Sequence, residues 1–303
     1  MPRKTTVTVV GSITKDIVWR PNESIRTALG GLLYNTIALA ALMSDATIMP
    51  VANVGKDILG EVAELLSRHP NIHLDGIRRV DRQNVRCYLL FVTGTHFNDG
   101  SIVPITRADV EGFLNPDIIL VTFPTGLEMT LGTLKSIRRK AKCSIYVDYH
   151  MLGHGRDQAG ARFGQKRQGW VDWVQAADFA QFNQFEAEHL LGRPMEDPKD
   201  VLSFGRKLLR KGLKAAMITF GEKGSFVVHS ENNKLDCTHI PSEKCGMIVD
   251  TLGCGDVYSA GFIAQYLRSS DAIAAAHFAS KAAAQRCRAH SFDELFKVLR
   301  GLV

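Results

Sequence analysis

Met247-Ile248-Val249-Asp250-Thr251-Leu252-Gly253-Cys254-Gly255-Asp256 is the stretch whose reading decides the fold. Its opening residues read as a strand and Gly253-Cys254-Gly255 as a tight turn. Val257, Ala260, Gly261, Ala264 and Leu267 then follow at the spacing of one helical face. Such a turn leaves the N–H groups of Gly253, Cys254 and Gly255 unpaired at a helix N-terminus, where the dipole also favours negative charge. The two glycines carry no side chain to collide with an approaching phosphate. Asp256 puts a carboxylate beside this anion hole. It could be a helix-start residue favoured by the dipole. It could also take the proton of a hydroxyl that attacks phosphorus, which gives a reason to keep a negative charge beside a phosphate site.

Outward from this stretch, short β-branched runs alternate with longer segments of helical period, the pattern of a parallel, doubly wound α/β sheet. Strands are predicted near 5–10, 47–52, 118–122, 144–148, 178–182 and 215–220. Helices are predicted near 31–43, 58–68, 128–140, 166–176, 198–211, 254–268 and 271–288. Two segments, about 12–29 and 84–106, are strand-like without a helix between their strands and read as a small separate sheet, a lid over the strand ends. Residues 150–169, rich in Gly, Arg and Gln, read as a long loop. His150 and His154 lie there without a third ligand of matching spacing, so Tyr149 or His150 is the better candidate to touch a ligand at a strand's carboxyl end.

Composition narrows the function classes. The net charge of +6, from 37 basic and 31 acidic side chains, is dispersed and too mild to imply nucleic acid. The six cysteines contain no C-x-x-C pair, so free thiols in a cytoplasmic protein are expected. No apolar run is long enough to span a bilayer, and the N-terminal residues do not read as a secretory signal. No G-x-G-x-x-G follows the first strand and there is no Walker A sequence, which argues against a dinucleotide oxidoreductase and leaves phosphate binding to the C-terminal turn.

Asp250-Thr251-Leu252-Gly253-Cys254-Gly255-Asp256 closely resembles the Asp-Thr-x-Gly-Ala-Gly-Asp signature of the ribokinase-like, or PfkB, family of sugar and nucleoside kinases. Cys254 stands where Ala is usual. Further motifs occur in the family's order: Val9-Val10-Gly11-Ser12 with Asp16, Gly30-Gly31 with Asn35, and Asn53-Val54-Gly55-Lys56-Asp57 with Gly60. Asn183-Gln184-Phe185-Glu186 and Thr219-Phe220-Gly221-Glu222-Lys223-Gly224 complete the series.

The resemblance implies a three-layer α/β/α sandwich with a mainly parallel central sheet and a small β-sheet lid, formed by a single domain over 1–303. It implies an ATP-dependent phosphotransferase in which Asp256 is the general base and the Gly253, Cys254 and Gly255 backbone stabilises the transferring phosphoryl group. By the same resemblance Asp16, Gly30, Gly31 and Asn35 hold the acceptor. Asn183, Thr219, Gly221 and Gly224 face the nucleotide, Glu186 organises water around Mg²⁺, and Asp250 can sit beside a monovalent cation such as K⁺. The expected partners are ATP and a small-molecule acceptor, with no nucleic acid or membrane, and the lids could pair two chains as a homodimer.

Leu32-Leu33-Tyr34 stands where the ribokinase-type pattern has Lys-Gly-Ala between the second glycine and the asparagine, and the added bulk and aromaticity put ribose itself in question. A sugar or polyol leads, and a nucleoside stacking on Tyr34 or on the lid residues Tyr88, Phe91 and Phe97 is the alternative. A phosphosugar would need Arg78, Arg86 or Arg107 to face the site. A non-catalytic sensor that binds nucleotide or sugar is the reading from another class.

Overall fold

The computed structural model describes residues 3–156, 162–164, 169–231 and 234–303. The chain opens with β1 (Thr6–Val10), β2 (Ile13–Trp19), β3 (Arg26–Gly31) and α1 (Leu32–Leu42), followed by β4 (Thr47–Gly55), α2 (Leu59–Ser67) and β5 (Ile77–Val80). Next come β6 (Arg86–Leu90), β7 (Thr95–Asn98), α3 (Arg107–Val110), β8 (Ile118–Thr122), α4 (Leu131–Lys140) and β9 (Ser144–Asp148). The short β10 (His154–Arg156) and β11 (Arg162–Gly164) lead to α5 (Trp170–Val174), β12 (Phe179–Asn183), α6 (Gln184–Leu191) and α7 (Pro198–Leu209). The last part contains β13 (Ala215–Thr219), β14 (Ser225–Glu231), β15 (Lys234–Ile240), α8 (Cys254–Ser269), α9 (Ala272–Arg286) and α10 (Phe292–Arg300).

Nine strands form one sheet in the order β15-β14-β13-β12-β9-β8-β1-β4-β5. From β13 to β5 all neighbours are parallel, and the β14–β15 hairpin extends the edge antiparallel. A parallel sheet is covered on both faces, so its strands are apolar throughout rather than alternating. β8, Ile-Ile-Leu-Val-Thr, is buried at every position. Its Ile118 and Leu120 join the core under α1, α8, α9 and α10, while Ile119 and Val121 join the core under α4, α5 and α7. This two-residue period divides the molecule into helix, sheet and helix layers, the expected architecture.

A second sheet, β3-β2-β6-β7, draws its strands from the two segments read as a lid. β2 and β6 pair in parallel, joining the segments, and the outer pairs are antiparallel. Asn84 fastens its base: Gly55 N–H donates to Asn84 Oδ1, Asn84 N–H donates to Asp57, and Asn84 Nδ2 donates to the Ile13 carbonyl.

Three local expectations change. Met247 to Asp250 is not a strand: Met247 is 82% and Ile248 60% exposed, and the Val249 and Asp250 N–H groups both point to the Cys287 carbonyl at the end of α9. An apolar run becomes a strand only where a sheet edge accepts it, and this one leads to a helix end instead. Within 150–169, His150–Gly153 forms a helical turn and β10 pairs with β11; the remainder of that loop and the His154 side chain lie outside the described residues. Tyr149 is not a ligand contact but a core residue, fully buried with its ring 5.0 Å from that of Phe182.

α8 and α9 meet closely at Gly261, where a Cβ would lie 2.9 Å from Ala279 Cα and from Ala282 Cβ. Gly261→Val should therefore overpack this seam and cost about 1–3 kcal/mol, read as a lowered Tm in scanning calorimetry. Gly60→Ala, where a Cβ meets nothing within 4 Å, should show no such loss.

Candidate active site

α8 begins where the sequence places the anion hole. Gly253, at φ 79°, is its N-cap, and Asp256 lies in its first turn, buried. Two side chains hold this turn from below. Asn35 Nδ2, on α1, donates to the Asp256 carbonyl and to Ser259 Oγ, both at 2.9 Å. Gln181 Nε2, on β12, donates to the Gly255 carbonyl at 2.9 Å, and Tyr146 fixes Gln181 by donating its hydroxyl to Oε1 at 2.7 Å. The carbonyls of the turn are thus spent on the protein. Helix geometry leaves the Gly253 and Gly255 N–H groups without an intrahelical acceptor, whereas the Cys254 N–H, expected to join them, donates to the Thr251 carbonyl at 3.2 Å.

On the acceptor side, Asp16 from β2 lies over Gly30 from β3. A Cβ at Gly30 would sit 2.0 Å from Asp16 Oδ2, and one at Gly31 would sit 2.4 Å from the Ser12 carbonyl, so both glycines are required for this approach. Gly31, at φ 64°, turns the chain directly into α1. Asn35, expected to hold the acceptor, instead spends its amide nitrogen on α8, and its buried Oδ1 has no partner. Tyr34 does not face an acceptor wall either. Its ring packs against Gly253, where a Cβ would be 2.5 Å away, and lies 4.9 Å from the Phe292 ring. Burial raises its hydroxyl pKa to about 12, against the opposing charge of Arg286.

On the other side, the parallel strands deliver Asp148, Asn183 and Thr219 to the carboxyl ends of β9, β12 and β13, with Asn183 in register with Thr219. Asn183 and Glu186 form a capping box at the start of α6: Asn183 Oδ1 accepts from the Glu186 N–H, and the Asn183 N–H donates back to Glu186 Oε2, both at 2.9 Å. Gly221 and Gly224 both have positive φ and frame the turn between β13 and β14, where the Phe220 N–H donates to the Gly224 carbonyl.

Carboxylates converge here. Burial pushes Asp256 well above the ordinary carboxylate range, the charges of Asp148 and Asp16 push it further, and Arg286 opposes them. Burial raises Asp148 to about 7, and its Oδ2 is enclosed without a partner. Glu186 is raised likewise by burial and then by Asp148. Among the described residues no cluster of three His, Cys, Asp or Glu side chains could hold a metal by itself. Mg²⁺ keeps most of its water and takes one or two carboxylates together with phosphate oxygens. The unpartnered Asp148 oxygen beside Glu186 fits that mode.

Asp250 is differently placed. It accepts from Arg20 Nη2 at 2.6 Å and Arg26 Nη2 at 2.7 Å, with Arg286 Nη2 at 3.4 Å. Burial alone would raise its pKa, but the Leu252 N–H and these guanidinium groups bring it below the ordinary value. A monovalent cation at this carboxylate, expected from the sequence, would compete with three positive charges already there. A cavity of about 340 Å³ lies beside this cluster, lined by Arg26, Tyr34, Asp250, Arg286, His290 and Phe292 among others, but by neither Asp16 nor Asp256.

Sequence reading missed four contributors. Asp148 ends an apolar strand at the ligand-binding edge and Gln181 is polar inside a buried strand, and both are visible signals. Glu128 gives no local signal: its Oε1 accepts from Ser12 Oγ, Thr125 Oγ1 and the Thr125 N–H, all at 2.7 Å, and its buried Oε2 has no partner. Arg286 reaches the site only because α9 folds back along α8.

A family model described as pfkB family carbohydrate kinase matches residues 4–295. A deoxyribokinase of Salmonella typhi is 33% identical over 289 residues, covering 89% of this chain and 88% of that protein. A ribokinase of Haemophilus influenzae is 23% identical over 309 residues, covering 92% and 91%. The solved structure of an Arabidopsis thaliana ribokinase complexed with ribose and ATP superposes with a TM-score of 0.70 at 20% identity, covering 98% of each chain. The glycine turn, the nine-stranded sheet with its lid and this match over nearly the whole length agree: the chain belongs to the pfkB family of carbohydrate kinases.

Proposed function

We propose that this kinase transfers the γ-phosphoryl group of ATP to an exposed hydroxyl of a free sugar, with Asp256 as general base. The observation that carries the reading is the position of Asp256. It stands in the first turn of α8, near enough to Asp16 on the acceptor side and Asp148 on the opposite side for both charges to raise its pKa. In this reading Asp16 accepts hydrogen bonds from two neighbouring sugar hydroxyls, as a carboxylate can, while Gly30 and Gly31 allow the ring to approach the backbone. Asp256 takes the proton of the attacking hydroxyl. The N–H groups of Gly253 and Gly255 stabilise the charge that develops on the transferring group, each such donor being worth about 3–4 kcal/mol.

The nucleotide lies along Asn183, Thr219, Gly221 and Gly224. Asp148 and Glu186 would hold Mg²⁺ through water, and the bound ion would neutralise phosphate charge. Catalysis without K⁺ follows from the three guanidinium groups on Asp250.

The deoxyribokinase and ribokinase relatives favour a pentose, 2-deoxyribose or ribose. Tyr34 supports a sugar over a nucleoside, because its ring backs Gly253 and offers no platform to a base, and Tyr88 and Phe97 already stack on each other at 4.5 Å. Arg78 is paired with Asp109, which removes one cation that a phosphosugar would need. The chain acts as one domain in the cytoplasm, where its cysteines remain reduced thiols. A homodimer through the lid would cover Trp19, Ile25, Phe91 and Val92, which are exposed there, and light scattering on the purified protein tests it.

A coupled ADP-release assay against pentoses, hexoses, polyols and nucleosides should show the highest kcat/KM for a pentose. Asp256→Asn should lose about 10²- to 10⁴-fold in turnover while still binding ATP; near wild-type turnover would remove Asp256 from its role. The base must be ionised to act, so raised Asp256 places the acidic limb of the kcat/KM profile above the ordinary carboxylate range. Asp148→Asn removes a neighbouring negative charge and should move that limb to lower pH. Omitting K⁺ should leave the rate unchanged.

A further inference from the structure

Three of the six cysteines gather behind the phosphate-binding turn, each from a different part of the chain. Cys245 lies in the irregular segment after β15, Cys254 is the first residue of α8, and Cys287 caps the end of α9. The sulfurs of Cys254 and Cys287 are 3.4 Å apart, and the thiols of Cys245 and Cys287 also interact. The Cys287 carbonyl accepts the Val249 and Asp250 N–H groups, so the same residue anchors the chain entering the turn. Two sulfurs this close, one of them on the first residue of α8, are placed for thiol chemistry.

We propose that Cys254 and Cys287 are a thiol pair that a peroxide converts to a disulfide, reversibly switching off the anion hole. The proposal rests on reading Gly253 to Gly255 as the phosphate-binding turn. Cys287 is the residue attacked first. It is only partly buried, and the Cys254 thiol beside it, helped by Cys245 and the Arg286 charge, draws its pKa down to about 6 against the effects of burial and Asp250. At neutral pH it is largely thiolate, the nucleophilic form.

The Cys287 thiolate attacks one peroxide oxygen and the O–O bond breaks. For hydrogen peroxide the second oxygen leaves as hydroxide and takes up a proton to become water. Cys287 is now a sulfenic acid, oxidised by two electrons as the peroxide is reduced. Cys254 sulfur, losing its proton, attacks the sulfenic sulfur, the S–O bond breaks and a second water leaves. The balance is two thiols and one peroxide to one disulfide and two waters.

Closing that bond brings the sulfurs from 3.4 Å to about 2.05 Å. The residue drawn across is Cys254, which lies between Gly253 and Gly255 and whose helix start carries Asp256. A misplacement of about 1 Å at a catalytic group can cost about 10²-fold in rate.

The test exposes the reduced protein to hydrogen peroxide, then divides it between a coupled ADP-release assay, ATP-binding calorimetry and peptide mapping. Cleavage before Asp250 separates Cys245 from Cys254, so the linked peptides identify the partners. The expected result is a Cys254–Cys287 link whose extent follows a loss of about 10²-fold in turnover, reversed by dithiothreitol. Inactivation should slow as the pH falls through about 6 and the Cys287 thiolate is protonated. Cys287→Ser should keep the reduced rate and resist peroxide, whereas Cys237→Ser, outside the cluster, should remain sensitive. A Cys245–Cys287 link in its place, no link, or full turnover with the Cys254–Cys287 link formed would each overturn the proposal. A reduced chain without turnover would instead overturn the kinase reading. The linked peptide and its effect on ATP affinity then decide the thiol pair, and unchanged affinity on linking counts against it.

Discussion

One buried carboxylate ties together the parts of this protein that have to act at once. Asp250 accepts from Arg20 and Arg26 at the lid and sits beside Arg286 at the end of α9, while the backbone that follows it becomes the glycine turn. Removing Asp250 would leave the buried Arg286 guanidinium desolvated without its carboxylate, a cost of about 3–5 kcal/mol for a buried pair. The lid, the helical layer and the anion hole are therefore held in one arrangement by charge as well as by packing. Arg286 also tempers an otherwise acidic centre, since its charge opposes the upward pressure on Asp256.

The glycine turn itself is shaped from behind. Asn35 and Gln181 take its carbonyls, Tyr34 fills the space behind Gly253, and none of these groups needs to touch a ligand to matter. Such preorganisation means that donors aimed at a developing charge need little rearrangement at the moment of reaction. The convergence of Asp16, Asp148, Glu186 and Asp256 has the complementary character. Four acidic groups drawn from β2, β9, α6 and α8 are linked by repulsion in a desolvated place, Asp148 and Asp16 acting on Asp256 and Asp148 on Glu186.

Much of this was legible in the chain. The strand at 118–122 and that at 144–148 fall where their apolar runs predict, because a doubly buried strand has little freedom in composition. The glycine turn at the start of α8 was legible because two glycines directly ahead of a helical pattern mark a helix N-terminus whatever the distant chain does. What stayed hidden depends on distant chain. Ser291 followed by Phe292, Leu295, Phe296 and Leu299 carried the cap and period of α10, yet the β14–β15 hairpin and α10 lie outside a simple alternation of strands and helices and were passed over. Met247 and Ile248 had the composition of a strand but no sheet edge to join. Asn35 and Tyr34 were assigned to the acceptor by their neighbours in sequence, whereas the direction of α1 turns both toward α8.

The ring of Tyr34 gives positions 34 and 253 a shared history. Residue 253 is confined to glycine twice over, once by its backbone angle and once by an aromatic face where its Cβ would stand. Shrinking Tyr34 would remove only the second restriction and would open the back of the turn toward the neighbouring cavity. Among descendants of this chain the two sites cannot drift independently, and the bulky residue that looks out of place beside Gly31 is tolerated because it is bound to a partner more than two hundred residues away.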